Sequence, residues 1–189
     1  PHILQIDHLA RTAASSMALI TEYCDLGTLS AYVEAHGLLS LDEARFLLTQ
    51  INQALFYLLE KKRMILRNIT PETVLLSSDA SLKPFGVSAK LAEFGVSRVV
   101  GGTKTSTFVG VTSFSAPEIR RRDAYSSKCD LFSVGVLLAW MVAGPASLKT
   151  SGTVTTWTVP PECRDSFEWL DAINLVSGLL QKDEDARFN

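Results

Sequence analysis

"LRNITPETVLL", residues 66–76, runs from an arginine through a proline-containing turn into an apolar, strand-like stretch. Turns held between apolar segments are common seats for catalytic groups, because a rigid scaffold positions an otherwise solvent-facing loop. Asn68 stands where such a loop would offer an acid or a base. The frame is kept and the proton-carrying group is not.

The flanking segments read clearly. Upstream, "LSLDEARFLLTQINQALFYLLEKKR" (39–63) predicts a helix. Ser40 and Glu43 have capping-box spacing, and Ala44, Leu47, Leu48, Ile51, Leu55 and Leu58 share a face. Lys61, Lys62 and Arg63 suit its negative end. Further upstream, "MALITEY" (17–23) predicts a strand ending at the turn "CDLGTL". Downstream, "ETVLLS" (72–77) and "AKLAEFG" (89–95) predict a hairpin that brings Asn68 and Glu93 to neighbouring ends. From Gly95 to Ala116 the chain lacks a period, as a long functional or disordered loop does. "CDLFSVGVLLAWMVAG" (129–144) is apolar on every face, which predicts a buried helix too short to span a bilayer. Residues 145–164 read as irregular, and 165–183 as a helix with Asp165 and Glu168 at capping spacing.

A chain of 189 residues, 47% hydrophobic and 20% charged, is globular and suits one core. Eighteen basic against 20 acidic residues leave a net charge of −2, so neither nucleic acid nor a membrane surface is an expected partner. Cys24, Cys129 and Cys163 are odd in number and far apart, which excludes a disulfide framework or zinc pattern and favours a reducing compartment. The three histidines lack ligand spacing. The chain starts at Pro1 with no charged-then-apolar leader, as a fragment without a signal peptide would.

Taken in order, the motifs resemble the C-terminal lobe of a eukaryotic protein kinase. "LRNITPET" (66–73) occupies the place of that family's catalytic loop H-R-D-L-x-x-x-N, and "EFG" (93–95) that of its metal loop D-F-G. "APE" (116–118) closes the activation segment, "YSSKCDLFSVG" (125–135) resembles the start of the central helix, and "DEDARF" (183–188) the late arginine motif. "LITEYCDLGTLSAYV" (19–33) resembles the fifth strand, hinge and following helix, with Thr21 as gatekeeper. The resemblance implies an α+β, protein kinase-like fold: residues 1–24 as the last N-lobe strands and hinge, 25–189 as a mostly helical C-lobe, and 93–118 as the activation-segment loop.

The departures fall on chemistry. Asn68 replaces the catalytic base, and an amide accepts no proton at neutral pH; losing a general base typically costs about 10²–10⁴ in rate. Thr73 replaces the metal-binding Asn, Glu93 the metal-binding Asp, and Thr70 the lysine of serine/threonine kinases. Val111 and Leu66 replace the activation-segment threonine and the loop histidine. The matches fall on architecture. By resemblance, Arg67 and Asp130 tie the catalytic loop to the central helix, and Glu118 with Arg187 anchors the activation segment.

The expectation is therefore a catalytically inactive domain, a pseudokinase and not an enzyme, that scaffolds or allosterically regulates a protein partner such as an active kinase. The alternative is a low-activity or atypical serine/threonine kinase that binds ATP and transfers phosphate to protein; a third reading is an unrelated small α+β binding domain. No cofactor is required: ATP is compatible with Thr21, Glu22, Cys24 and Leu75 at the hinge and adenine positions, while magnesium is held weakly by Glu93 or not at all. Thr103, Thr105, Ser106 and Thr107 are candidate phosphosites, since phosphate near Arg67 could order the loop; a solvated loop explains them as well. Glu93 reads equally as a solvated strand-end carboxylate, "RRR" (120–122) as a solvated helix face, and Cys24 and Cys129 as small buried groups. The expected location is cytoplasmic, with the nucleus as the alternative.

Overall fold

A computed structural model describes residues 1–11, 16–99, 110 and 112–188. Strands β1 (Ile6–Arg11) and β2 (Met17–Thr21) form an antiparallel hairpin at the start of the chain. After it come β3 (Gly27–Thr28), helix α1 (Leu29–His36) and helix α2 (Leu41–Lys62). In α2 the Glu43 N–H donates to Ser40 Oγ at 3.3 Å while the Ser40 N–H donates to Glu43 Oε2 at 2.9 Å, so two orphan donors of the first turn are satisfied reciprocally. Its buried face is Ala44, Leu47, Leu48, Gln50, Ile51, Ala54 and Leu58. Gln50 lies on that face because its amide bonds β-sheet backbone: Nε2 donates to the Val87 carbonyl at 3.0 Å and Oε1 accepts from the Ala89 N–H at 2.8 Å.

Strands β4 (Met64–Ile65), β5 (Val74–Ser78) and β6 (Val87–Leu91) follow, then β7 (Arg98–Val99), which pairs with β4. The β5–β6 pair is antiparallel in the register Val74 to Leu91, with β3 on the other side of β5. Helix α3 (Pro117–Arg121) leads to α4 (Lys128–Ala143), the axis of the lobe. Along α4 Phe132, Val136, Leu137 and Met141 are wholly enclosed, while Leu131 and Trp140 are partly covered. Burying such side chains contributes on the order of 1.5–3 kcal/mol each.

Two expectations are corrected here. The stretch expected to be irregular holds a hairpin, β8 (Leu148–Ser151) with β9 (Val154–Trp157), turning at Gly152 with φ 56°. The last helix, α5 (Phe167–Leu179), is shorter than 165–183, and its N-cap is Ser166 without a side-chain cap bond, so Asp165 and Glu168 form no capping box. Just past its end the Gln181 carbonyl accepts from the Arg187 guanidinium, from Nη2 at 2.9 Å and from Nε at 3.3 Å. α5 lies against α4 at Gly135, where an added Cβ would come within 2.6 Å of Leu179 Cβ. No helix among the described residues is long and apolar enough to cross a membrane.

Candidate functional site

The loop 66–73 is built by its own hydroxyls and by α4. Thr73 Oγ1 donates to the Asn68 carbonyl at 2.9 Å and accepts the Thr70 N–H at 2.9 Å, closing the turn on itself. Thr73 and Thr70 are buried, and Asn68 is half-buried. From below, Asp130 of α4 accepts the N–H groups of Leu66 and Arg67 at 2.8 and 2.7 Å.

This loop is fastened to residues 92–96 through Thr73 and through Arg67, whose Nη2 as well as its Nε donates to the Val96 carbonyl. The Ala92 N–H donates to the Thr73 carbonyl at 2.9 Å, and Arg67 Nε donates to the Val96 carbonyl at 2.7 Å. Arg67 Nη1 also donates to the Tyr125 hydroxyl at 2.7 Å. Residues 66–73 and 92–96 are thus held side by side. Glu93 is exposed and sits at φ 64°, the left-handed region that non-glycine residues rarely occupy.

At the end of β2, where the hinge was expected, Thr21 Oγ1 donates to the Glu22 carbonyl at 3.2 Å. The Glu22 carboxylate accepts the Gln5 N–H at 2.8 Å and pairs with Lys90 of β6. Burial pushes the Glu22 carboxyl up, but the Lys90 ammonium and the Gln5 N–H outweigh it and hold it below the ordinary value. Cys24 is buried, and burial together with the Glu22 carboxylate pushes its thiol up, away from thiolate reactivity. Leu75, half-buried, lies opposite Lys90 in the β5–β6 register.

Glu118 and Arg187 form a buried two-pronged pair, Nη1 to Oε1 at 2.7 Å and Nη2 to Oε2 at 3.1 Å. The same guanidinium donates to the Lys128 carbonyl at 2.7 Å and lies over the Phe132 ring. Thr103, Thr105, Ser106, Thr107 and Val111 lie outside the described residues.

The reading of 120–122 as a solvated face is corrected at Arg120, which is half-buried and donates to carbonyls of residues 112, 115 and 152. Sequence reasoning also missed Lys90, Tyr125 and Val96. A lone lysine in the apolar strand "VSAKL" was the only local signal for the first; the other two act through a hydroxyl and a carbonyl whose partner is distant in sequence.

The description "Protein kinase domain" fits residues 1–189. The chain is 34% identical over 141 residues to the serine/threonine-protein kinase ULK1 of Homo sapiens, covering 73% of this chain and 13% of that protein. It is 32% identical over 193 residues to the serine/threonine-protein kinase ATG1a of Arabidopsis thaliana, covering 97% of this chain and 30% of that protein. With atg1 of Dictyostelium discoideum, also named a serine/threonine-protein kinase, identity is 31% over 176 residues, covering 90% of this chain and 25% of the relative. The chain therefore spans less than a third of the length of each of these relatives.

These relatives overturn the expectation of a non-enzyme: proteins that align over most of this chain are serine/threonine protein kinases, and they point to an enzyme. The physical reason is that phosphoryl transfer is mostly positioning and charge stabilisation, so an amide at Asn68 is a matter of rate before it is one of reaction class. By the match along its whole length, the chain belongs to the protein kinase domain family.

Proposed function

We propose that this chain is the hinge and helical lobe of an atypical, slow serine/threonine protein kinase, which transfers the γ-phosphoryl group of ATP to a polypeptide hydroxyl. The observation that carries the reading is the double fastening of the catalytic loop: Thr73 clips it to Asn68, and Ala92 clips it to the Glu93 stretch. Positioning alone supplies a large share of such a rate.

Among the described residues no group of three His, Cys, Asp or Glu could cage a metal. Magnesium, however, keeps several waters and binds through one or two carboxylates plus substrate phosphates. The exposed Glu93 carboxylate fits that mode; the Thr73 hydroxyl, spent on backbone, does not. Bound with ATP, the cation would neutralise charge on the phosphates. Asn68 orients the incoming hydroxyl without taking its proton, which leaves with the phosphoryl oxygens. Thr21, Glu22, Cys24 and Leu75 line the nucleotide side, where the Lys90 pair holds Glu22 in place. The polypeptide acceptor is the protein partner this reaction needs.

The test is transfer from γ-labelled ATP to serine- and threonine-containing peptides, with magnesium, by the longer protein that carries this domain. Transfer to those hydroxyls that is lost in Glu93→Ala is the expected result. Transfer no greater than in the Glu93→Ala protein would overturn the reading.

A further inference from the structure

Helices α2 and α5 both pack on α4, and between them lies a groove with a cavity of about 790 Å³. Its floor is apolar: Leu48 and Leu138 are buried at the base, and Trp169 and Leu175 line the α5 side. Leu175 remains 40% exposed. Phe56, eight residues beyond Leu48 and so on the same face of α2, is 68% exposed and prolongs the apolar row. From Leu41 to Asn52 the α2 wall runs about 16 Å at 1.5 Å per residue, the length of about three helical turns.

The two rims differ in charge. On α2, Asp42 and Arg45 pair with each other at 2.6 Å, and Thr49 and Asn52 are neutral. On α5, Glu168 and Asp171 are exposed, and their carboxylates make no ion pair or hydrogen bond among the described residues. Glu168 lies in the first turn, where a carboxylate suits the positive end of the helix. Asp171 lies a turn further in, where aspartate is a poor helix former. One side of an apolar trough thus carries an uncompensated negative edge.

We propose that this groove docks an amphipathic helix of a partner protein, its apolar stripe set onto Leu48, Leu138, Trp169 and Leu175 and a lysine- or arginine-rich flank laid against Glu168 and Asp171. A trough of three turns between two helices, apolar at its base, is the shape that a helix-in-groove contact needs. The charged edge decides which way round the helix lies. Its basic flank gains on the α5 side, whereas on the α2 side Asp42 is already met by Arg45. An acidic flank would face two unpaired carboxylates. No residue lining the groove belongs to 66–73 or 92–96, so the inference stands apart from the phosphoryl-transfer reading.

The experiment uses the longer protein that carries this domain and a fluorescent synthetic peptide of about 18 residues, long enough to hold a helix in water, with a leucine stripe and one lysine flank. The same peptide with a glutamate flank, and a scrambled one of the same composition, are the controls. Polarisation should show saturable binding of the lysine-flanked peptide. Leu175→Arg should weaken it about tenfold or more, as should Glu168→Lys combined with Asp171→Lys. The charge-reversed protein should in turn prefer the glutamate-flanked peptide. All three side chains are exposed, so the variants should melt with the wild type. Should Leu175→Arg not fold, the charge reversal decides alone. Equal binding of the scrambled peptide, or undiminished binding of the lysine-flanked peptide by the charge-reversed protein, would overturn the proposal. So would a wild type that binds none of the peptides, as it would if another segment of the longer protein filled the groove. A wild-type dimer that Leu175→Arg dissolves in sedimentation would give the groove to a second copy and overturn it equally.

Discussion

Asp130 reaches across 63 residues of chain to accept the backbone N–H of Arg67 at 2.7 Å. Arg67 sits at φ 68°, a conformation that costs a non-glycine residue on the order of 1–3 kcal/mol. The buried carboxylate supports that turn by satisfying the N–H groups of both Leu66 and Arg67. Burial pushes the Asp130 carboxyl up to about 6, against the pull of the two N–H groups and the Arg67 charge.

A pH signature follows from this shift. Between the ordinary value of 3.8 and about 6 the folded protein binds more protons at Asp130 than the unfolded chain. The stability this group contributes is therefore complete below 3.8 and is lost as pH rises through about 6. Urea denaturation at pH 4 to 7 should show the wild type losing stability relative to Asp130→Asn over that window, on the order of 2–3 kcal/mol in total. A constant difference across the window would show that Asp130 is not the titrating group.

Removing one partner of the Glu118–Arg187 pair leaves a buried charge uncompensated. Glu118→Ala and Arg187→Ala should each destabilise by roughly 3–5 kcal/mol. The double variant should lose clearly less than the sum, because the second substitution removes the orphan left by the first. Additive losses in a double-mutant cycle would mean that the two groups act independently.

Thr73→Val preserves shape and removes the hydroxyl that serves the Thr70 N–H and the Asn68 carbonyl. Leaving such groups unsatisfied should cost about 1–3 kcal/mol. Turnover should fall in the same variant, since the clip sets the position of Asn68, and Thr73→Ser should keep both properties. Equal behaviour of valine and serine at this position, in melting and in rate, would dismiss the clip.

Asn68→Asp restores an ionisable acceptor at the place where the incoming hydroxyl is proposed to lie. Phosphoryl transfer should rise by about 10²-fold or more, with little change in the ATP KM. A variant no faster than wild type would locate the limiting loss elsewhere, with Glu93 and Thr73 the next positions to restore.

Much of this architecture was legible in local pattern. The Ser40–Glu43 box formed as its spacing implied, and the uniformly apolar 129–144 became the enclosed α4. The expected hairpin of 72–77 with 89–95 formed with shifted bounds, Val74–Ser78 against Val87–Leu91, and Ala92–Gly95 lie beyond the paired strand. Other features were not legible. "LKTSGTVTTW" carries many polar residues and no clean alternation, so β8–β9 went unread; its Thr155 is buried with its hydroxyl bonded to Ser113 and Arg120, partners distant in sequence. "RRR" looks identical at each of its three positions, yet Arg120 turns to backbone while Arg121 pairs with Asp123 at 2.6 Å.

By itself the sequence determined the enclosed helix, the capped α2, the hairpin after the 66–73 loop and the residue types that loop offers, because each of these depends on spacing along a few turns or strands of the chain. Beyond the pairs that the resemblance implied, tertiary structure decided what those residues bond. Thr73 became a clip rather than a free ligand, Asp130 a support for a strained turn, and Arg120 a bolt between a loop and a hairpin. A buried carbonyl or N–H must be satisfied by whatever side chain packing brings to it, and partners such as Ser133 with Phe114 or Glu118 with Arg187 meet only once the core has closed.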